Sequence, residues 1–230
     1  MSLQTHQRPS SGNWRWLITA SVTLLAAMPS LRLAHAAGTW DCGDPFVNHF
    51  GPFDYRVATA HDKKLVEGAH FTPGVESLTK PSKTMYTHMA QDVAYTLHVF
   101  PNHPRALNAM VRLGERYKMD TPYGASFTVE CYFDRAVRFR PDDTVVRSLY
   151  AVFLGKQKRT ADAAKQLAIA TEFAKDNPLT HFNIGLVYFD IGNYEQALAA
   201  AHRARAGGYT RPELEERLKG VGKWVEPTTN

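Results

Sequence analysis

Apolar residues recur with a helical period over most of the chain from Met85 onward. The pattern is clearest in "PLTHFNIGLVYFDIGNYEQALAAAHRARAGG", where they fit two antiparallel helices that meet at Gly192-Asn193. An earlier run has intervals of 4, 4, 4 and 3 residues, as in an amphipathic helix. Its members are Met85, Met89, Val93, Leu97 and Phe100. These patterns predict an all-α protein.

The same pattern recurs, more weakly, at an interval of 34 residues. One such interval before Ile184, Tyr188, Ala197, Ala201 and Ala204 stand Tyr150, Leu154, Ala163, Leu167 and Ala170. Earlier still, "PRALNAMVRLGERY" and "CYFDRAVRFRPDD" predict the two helices of another unit. The separation of Pro101 from Pro141 exceeds the interval, so this unit carries extra residues, in "KMDTPYGASF". The predicted region, 83–211, is a half repeat followed by repeats at 104–143, 144–177 and 178–211.

The last segment, 212–230, contains a further predicted helix in "TRPELEERLKGVGKW". Thr210 and Glu213 fit a capping box, and Gly220 fits a helix stop. Its apolar side chains are Leu214, Leu218 and Val221. We expect this helix to cover the last repeat, because an array of repeats needs a polar outer end to remain soluble.

The unit "NIGLVY…GNYEQAL" resembles the tetratricopeptide repeat (TPR). The chain also resembles small exported bacterial TPR proteins, which share stretches such as "GPFDYR" and "VECYFDRAVRFRPDD". The resemblance implies a short right-handed solenoid of helical hairpins, with an irregular N-terminal segment and a C-terminal capping helix. It implies partner binding and no particular catalytic activity.

Residues 1–36 have the layout of a secretory signal peptide. A polar stretch with Arg8 and Arg15 precedes an uncharged apolar run, Leu17 to Met28, and Ala34-His35-Ala36 ends the segment. Such a run is too short to span a bilayer, which needs about 20 residues. We expect cleavage after Ala36 and a periplasmic or extracellular protein; an uncleaved signal anchor is the alternative. Cleavage would remove three of the 27 basic residues and none of the 22 acidic ones. The remaining sequence shows no stripe of basic residues of the kind that binds nucleic acid.

Residues 37–82 show no helical or strand period and form a predicted irregular segment rich in aromatic, Pro and Gly residues. This segment contains Cys42, and the other cysteine of the sequence is Cys131. Exported proteins meet an oxidising compartment, so we predict a disulfide, with two free thiols as the alternative. Cys131 falls on the outward face of its predicted helix. The bond would then hold the segment as a cap over the outer side of the first repeat; a self-inhibiting position inside the groove is the alternative.

In TPR proteins, positions 2, 5, 9 and 12 of each first helix face a concave groove, so the resemblance implies a groove that is cationic at one end and apolar at the other. Those positions hold Arg105, Asn108, Arg112 and Glu115, then Val145, Ser148, Val152 and Gly155, then Leu179, Phe182, Leu186 and Phe189. The predicted partner-binding residues are Arg105, Asn108, Arg112, Ser148, Val152, Phe182, Asn183 and Leu186. The apolar ones have a second interpretation, packing against the C-terminal helix.

Catalytic motifs are weak in this sequence. No histidine pair has helical i, i+4 spacing with a third ligand nearby, and no serine has the Gly-x-Ser-x-Gly context. We therefore predict no catalytic residue, no metal and no cofactor. The leading hypothesis is an exported adaptor that binds a protein or peptide segment. The alternatives are a structural subunit of an envelope or extracellular assembly, which stacks on itself or on a fibre, and a hydrolase with its site between residues 37–82 and the repeats.

Overall fold

The computed structural model describes residues 41–81 and 88–227. These residues form ten helices and no strand, which confirms an all-α protein for this part of the chain. The predicted signal peptide, its cleavage site at Ala36 and the predicted helical residue Met85 lie outside the described residues. In chain order the helices are α1 (Ala60–His70), α2 (Pro73–Glu76), α3 (Met89–Val99), α4 (Pro104–Tyr117), α5 (Val129–Phe139), α6 (Thr144–Lys156), α7 (Thr160–Ala174), α8 (Pro178–Asp190), α9 (Tyr194–Ala206) and α10 (Glu213–Gly220).

Two helical hairpins, α6–α7 and α8–α9, follow one another in the second half of the chain. Each has a short connection, 157–159 and 191–193. The first helices, which begin at Thr144 and Pro178, start one repeat interval apart, and so do the second helices. Fully buried alanines such as Ala163 and Ala197 allow the paired helices to approach closely.

The pair α4–α5 is built differently. Its connection, 118–128, is much longer than the turns of the other two hairpins, and it contains the stretch in which the sequence predicts extra residues. α4 and α5 consequently pack less closely than the helices of those hairpins. One main apolar core nevertheless runs from Phe71 to Leu218 and joins α2 to α10.

Side-chain caps start α4, α6 and α8. His103, Asp143 and Asn177 each accept a hydrogen bond from a backbone N–H in the first turn of the following helix. Such caps satisfy donors that have no partner inside the helix and stabilise it by about 1 kcal/mol each. The three caps stand at corresponding positions, so each first helix begins in the same way.

The segment predicted to be irregular contains two helices, α1 and α2, so that prediction is wrong beyond Thr59. α1 has no apolar period because Val66 is its only buried residue. Val66 packs with Val99 and Phe100 in a second, smaller apolar cluster. The aromatic side chains of the preceding stretch, Phe50, Phe53 and Tyr55, cover this cluster.

α10 packs against α8 and α9, as expected for a helix that covers the last hairpin. Leu214 and Leu218 are buried, whereas Val221 lies beyond the helix and is exposed. The predicted capping box is wrong: α10 begins after Pro212, and no side chain caps it.

Candidate functional site

The stretch 41–47 lies on α5. Cys42 and Cys131 form a disulfide with a Cα–Cα distance of 5.1 Å, as the sequence predicts. Arg135 and Arg138 of α5 donate to the carbonyl oxygens of Cys42 and Gly43 at 2.9 and 2.8 Å. Cys131 is buried because the stretch that carries Cys42 covers it, as expected for a disulfide that holds this stretch on the helix.

The next stretch, "GPFDYR", fastens to two interhelical loops. Asp54 accepts hydrogen bonds from Asn102 at 2.8 Å and from Arg140 at 2.7 Å. Arg56 binds Asp54 on one side and Asp142 on the other, at 2.7 and 2.8 Å. Burial alone would raise the pKa of Asp54, but the hydrogen bonds from Arg56, Asn102 and Arg140 outweigh burial and hold that pKa well below 3.8.

A third contact group joins α1 to α4 through Glu67. Its carboxylate accepts hydrogen bonds from Tyr55 at 2.7 Å, His103 at 3.0 Å and Arg105 at 3.0 Å. His103 Nδ1 accepts from the backbone N–H of Ala106, so Nε2 carries the proton that is donated to Glu67. Burial lowers the pKa of His103 to about 4, which keeps the ring neutral at pH 7. The group fixes the start of α4 and offers no free acid or base.

Together these contacts place residues 41–59 along α5 and across the two loops. The cap arrangement is therefore the one that this structure has for that stretch. Residues 67–78, in contrast, lie against α4 on the side of its predicted groove residues. Arg105 is paired there with Glu67 and Glu76, at 3.0 and 2.9 Å.

The remaining cationic side chains of α4 are less completely matched. Arg112 and Arg116 donate to the carbonyl oxygens of Glu76 and Leu78, at 3.3 and 2.7 Å. Among the described residues, neither forms an ion pair with a carboxylate. Arg116 was not among the predicted site residues, although its i+4 position after Arg112 signals the same helix face. Asn108 is exposed on α4 beside them.

The other predicted residues lie on α6 and α8, which pack side by side. Val145 and Leu179 stand at corresponding positions of the two hairpins and remain 55% and 48% exposed. Half-buried or exposed side chains continue the surface; they are Ser148, Val152, Asn183 and Leu186. We call this surface of α6 and α8 the neutral face.

Phe182 does not belong to the neutral face. It is only 5% exposed, and the ring of Tyr209 covers it at a centroid distance of 4.8 Å. The prediction that Phe182 anchors a bound segment is therefore wrong, because its side chain belongs to the core. Phe189 packs likewise with α10, since Arg217 stacks on its ring at 4.3 Å.

Charge is almost absent from α6 and α8. In α6, Arg147 is buried and donates to Pro141 O and to Gln166, and the other charged residue is Lys156 at the last position. In α8, Asp190 at the last position pairs with Arg217. Exposed helix faces usually carry charges, so an exposed face with valine and leucine and no charge indicates a contact surface.

Within residues 41–81 and 88–227, no group of three His, Cys, Asp or Glu side chains is arranged to hold a metal ion. In that part of the chain, every helix is too short or too polar to cross a bilayer. No protein-family model and no curated protein matches the sequence.

Proposed function

We propose that this chain is an exported, non-catalytic adaptor that binds an extended protein segment on the neutral face and the adjoining end of α4. The observation that carries the proposal is the pair of exposed apolar residues, Val145 and Leu179, on two neighbouring helices whose exposed charges are confined to their last positions. An extended segment can contact both residues at once because they recur at one position of adjacent hairpins.

A TPR-like solenoid is the arrangement that we propose for the whole array. The spacing of the helix starts supports it, because that spacing equals the period of the TPR. The neighbour contacts of α4 with α6 and of α6 with α8 support it too, since first helices line one side of such a solenoid. The buried disulfide is compatible with the proposed export, because such bonds persist in oxidising compartments.

The chemistry of the surface defines the segment that would bind. Apolar side chains match Val145, Leu179 and their neighbours. Arg112 and Arg116 at the other end favour carboxylates, because their charges are matched only by carbonyl oxygens within the described residues. The proposed ligand is therefore a segment with apolar residues and an acidic end.

A random-peptide display library tests this proposal on the full mature protein. We expect enrichment of peptides that contain apolar residues followed or preceded by acidic ones. Leu179→Glu should weaken the selected peptides about tenfold or more, because it places a charge on the apolar contact. The matched control is Val57→Glu, a residue that is 79% exposed on the opening stretch and is not part of the neutral face.

The salt dependence of binding separates the two ends of the surface. Arg112→Ala should weaken binding most at low salt, whereas Leu179→Glu should weaken it at all salt concentrations. If the library yields no enriched peptide, or if Val57→Glu and Leu179→Glu act equally, the adaptor proposal is wrong.

A further inference from the structure

A pocket of about 490 Å³ opens where α4 and α5 diverge. It lies among the last turn of α4, the first turn of α5 and the last turn of α6. The lining residues include Val111, Gly114, Glu115, Val129, Phe153 and Lys156. Its volume is within the range of about 300–1,000 Å³ that small-ligand pockets occupy.

The long connection 118–128 creates this pocket. The short turns of the other hairpins bring their helices together along their length, whereas α4 and α5 pack less closely and meet where Gly114 lies against Val129. The connection is itself fixed at both ends. The N–H of Met119 donates to Gly114 O at 3.1 Å, and the N–H of Val129 donates to Asp120 O at 2.8 Å. The pocket is therefore preformed.

The floor of the pocket is apolar, and its rim carries charged side chains. Glu115, Glu130 and Lys156 form ion pairs, whereas Lys118 and Asp120 form none with another described residue. Val111, Val129 and Phe153 supply the floor and are nearly buried. On the rim, Lys156 pairs with Glu115 at 2.6 Å. Glu130, also on the rim, pairs with Arg159 and accepts from Tyr150 OH. Because its floor is apolar and three of its rim charges are already paired, the pocket accepts an uncharged apolar group at its floor.

The pocket adjoins the proposed binding surface. Val111 precedes Arg112 in α4, and Phe153 follows Val152 of the neutral face in α6. Glu115 lines the pocket and also stands at a predicted groove position. The rim pair Glu115 and Lys156 lies one helical turn beyond Arg112 and Val152, so a segment that crosses from Arg112 to Val152 would pass beside the mouth of the pocket.

We propose that this pocket receives one large apolar side chain, leucine, methionine or phenylalanine, of the segment bound on the neutral face. The proposal deepens the proposed function and rests on it. The pocket fixes the register of the segment, because it accepts a side chain in depth at one point of the surface. Residues on the flat neutral face would contribute contact area without such selection.

The direct test uses small probes and needs no natural partner. N-acetyl-phenylalaninamide and N-acetyl-leucinamide are titrated into methyl-labelled mature protein, with N-acetyl-aspartamide as the polar control. We expect saturable methyl shifts at Val111 and Val129 with the two apolar amides and none with the polar one. Absence of these shifts with both apolar amides overturns the proposal.

Two variants extend the test to selected peptides. Val111→Phe fills the floor, and Gln157→Trp covers the mouth from an exposed rim position, so the test survives if the first variant folds poorly. Each should weaken the selected peptides about tenfold, as should alanine at the peptide's anchor residue. Peptides that depend on Leu179 but bind both pocket variants normally would refute the pocket proposal and leave the adaptor proposal intact. If no peptide is enriched, the adaptor proposal fails, and the amide titration alone decides the pocket.

Discussion

Replacing Asp54 with asparagine should destabilise the protein by loosening the opening stretch from both interhelical loops. The change removes the negative charge that binds Arg56 and Arg140 while keeping the size of the side chain. Hydrogen bonds to a charged group contribute about 1.5–3 kcal/mol each. The two arginine side chains are about one-third exposed, at 38% and 34%, so water replaces part of what they lose. We therefore expect a net loss of about 2–3 kcal/mol, or roughly 5–10 °C in Tm.

The effect should depend on pH with a defined sign. The pKa of Asp54 in the folded protein lies below the ordinary 3.8. The carboxylate therefore stabilises the fold fully above about pH 4, and this contribution is lost as the pH falls below that value. Since Asp54→Asn has no such group, the stability difference between the two proteins should narrow on acidification below pH 4.

Urea unfolding followed by circular dichroism at pH 7, 4 and 3 measures both effects. The matched control is Asp134→Asn, which makes the same chemical change in an exposed pair with Arg138. That pair should contribute less than about 1 kcal/mol. Equal effects of the two variants at pH 7, or a difference for Asp54→Asn that does not narrow in acid, would refute the reasoning.

Three further predictions concern the core, the disulfide and the buried histidine. Gly185→Ala should lower the free energy of unfolding, measured in urea, by about 1–3 kcal/mol, because the added Cβ would meet Leu214. The control Gly68→Ala, whose Cβ would meet no atom within 4 Å, should not destabilise the protein, and equal unfolding midpoints of the two variants would contradict this reasoning. Reduction, or Cys42→Ser, should lower the unfolding free energy by up to about 4–5 kcal/mol for a closed loop of 89 residues, and two free thiols in the mass spectrum of native protein would exclude the bond. His103, whose pKa is about 4 against an ordinary 6.5, should remain neutral at pH 5.5 in ¹⁵N NMR spectra, and a protonated ring at that pH would refute this prediction. The free energy of unfolding should fall between pH 7 and 4, because the histidine is protonated in the unfolded chain at a higher pH than in the folded protein.

The sequence predicts best those helices whose own residues show, by their size and spacing, which side packs against a neighbouring helix. In α6 to α9, small residues at helix contacts recur at the repeat interval, and the pattern is local. α1 escapes prediction because only Val66 is buried and the rest of its surface is polar. Its position depends instead on aromatic residues from a stretch without any period.

The candidate site was predictable only in part, for a similar reason. The position of a residue within its helix predicts which side chains of α4, α6 and α8 lie on the same side. It predicts this for Val145 and Leu179. Helix position does not reveal what covers a side chain. Tyr209 covers Phe182, and Glu76 pairs with Arg105 from a distant point of the chain. Both partners come from other elements, so their effect becomes visible only in the fold.

The position of α10 has a consequence for self-association. Subunits that join head to tail form a growing filament unless the contact closes a ring. At this end of the array, a second copy would meet the outer surface of α10, where Glu213, Glu216 and Lys219 are exposed or half-exposed, while Leu214 and Leu218 are already buried beneath. Growth through this end would have to desolvate these charges, and the apolar side chains exposed beyond α10 are Val221 and Val225. Copies that instead associate through the neutral face, which exposes Val145 and Leu179, would share that face between partner binding and assembly.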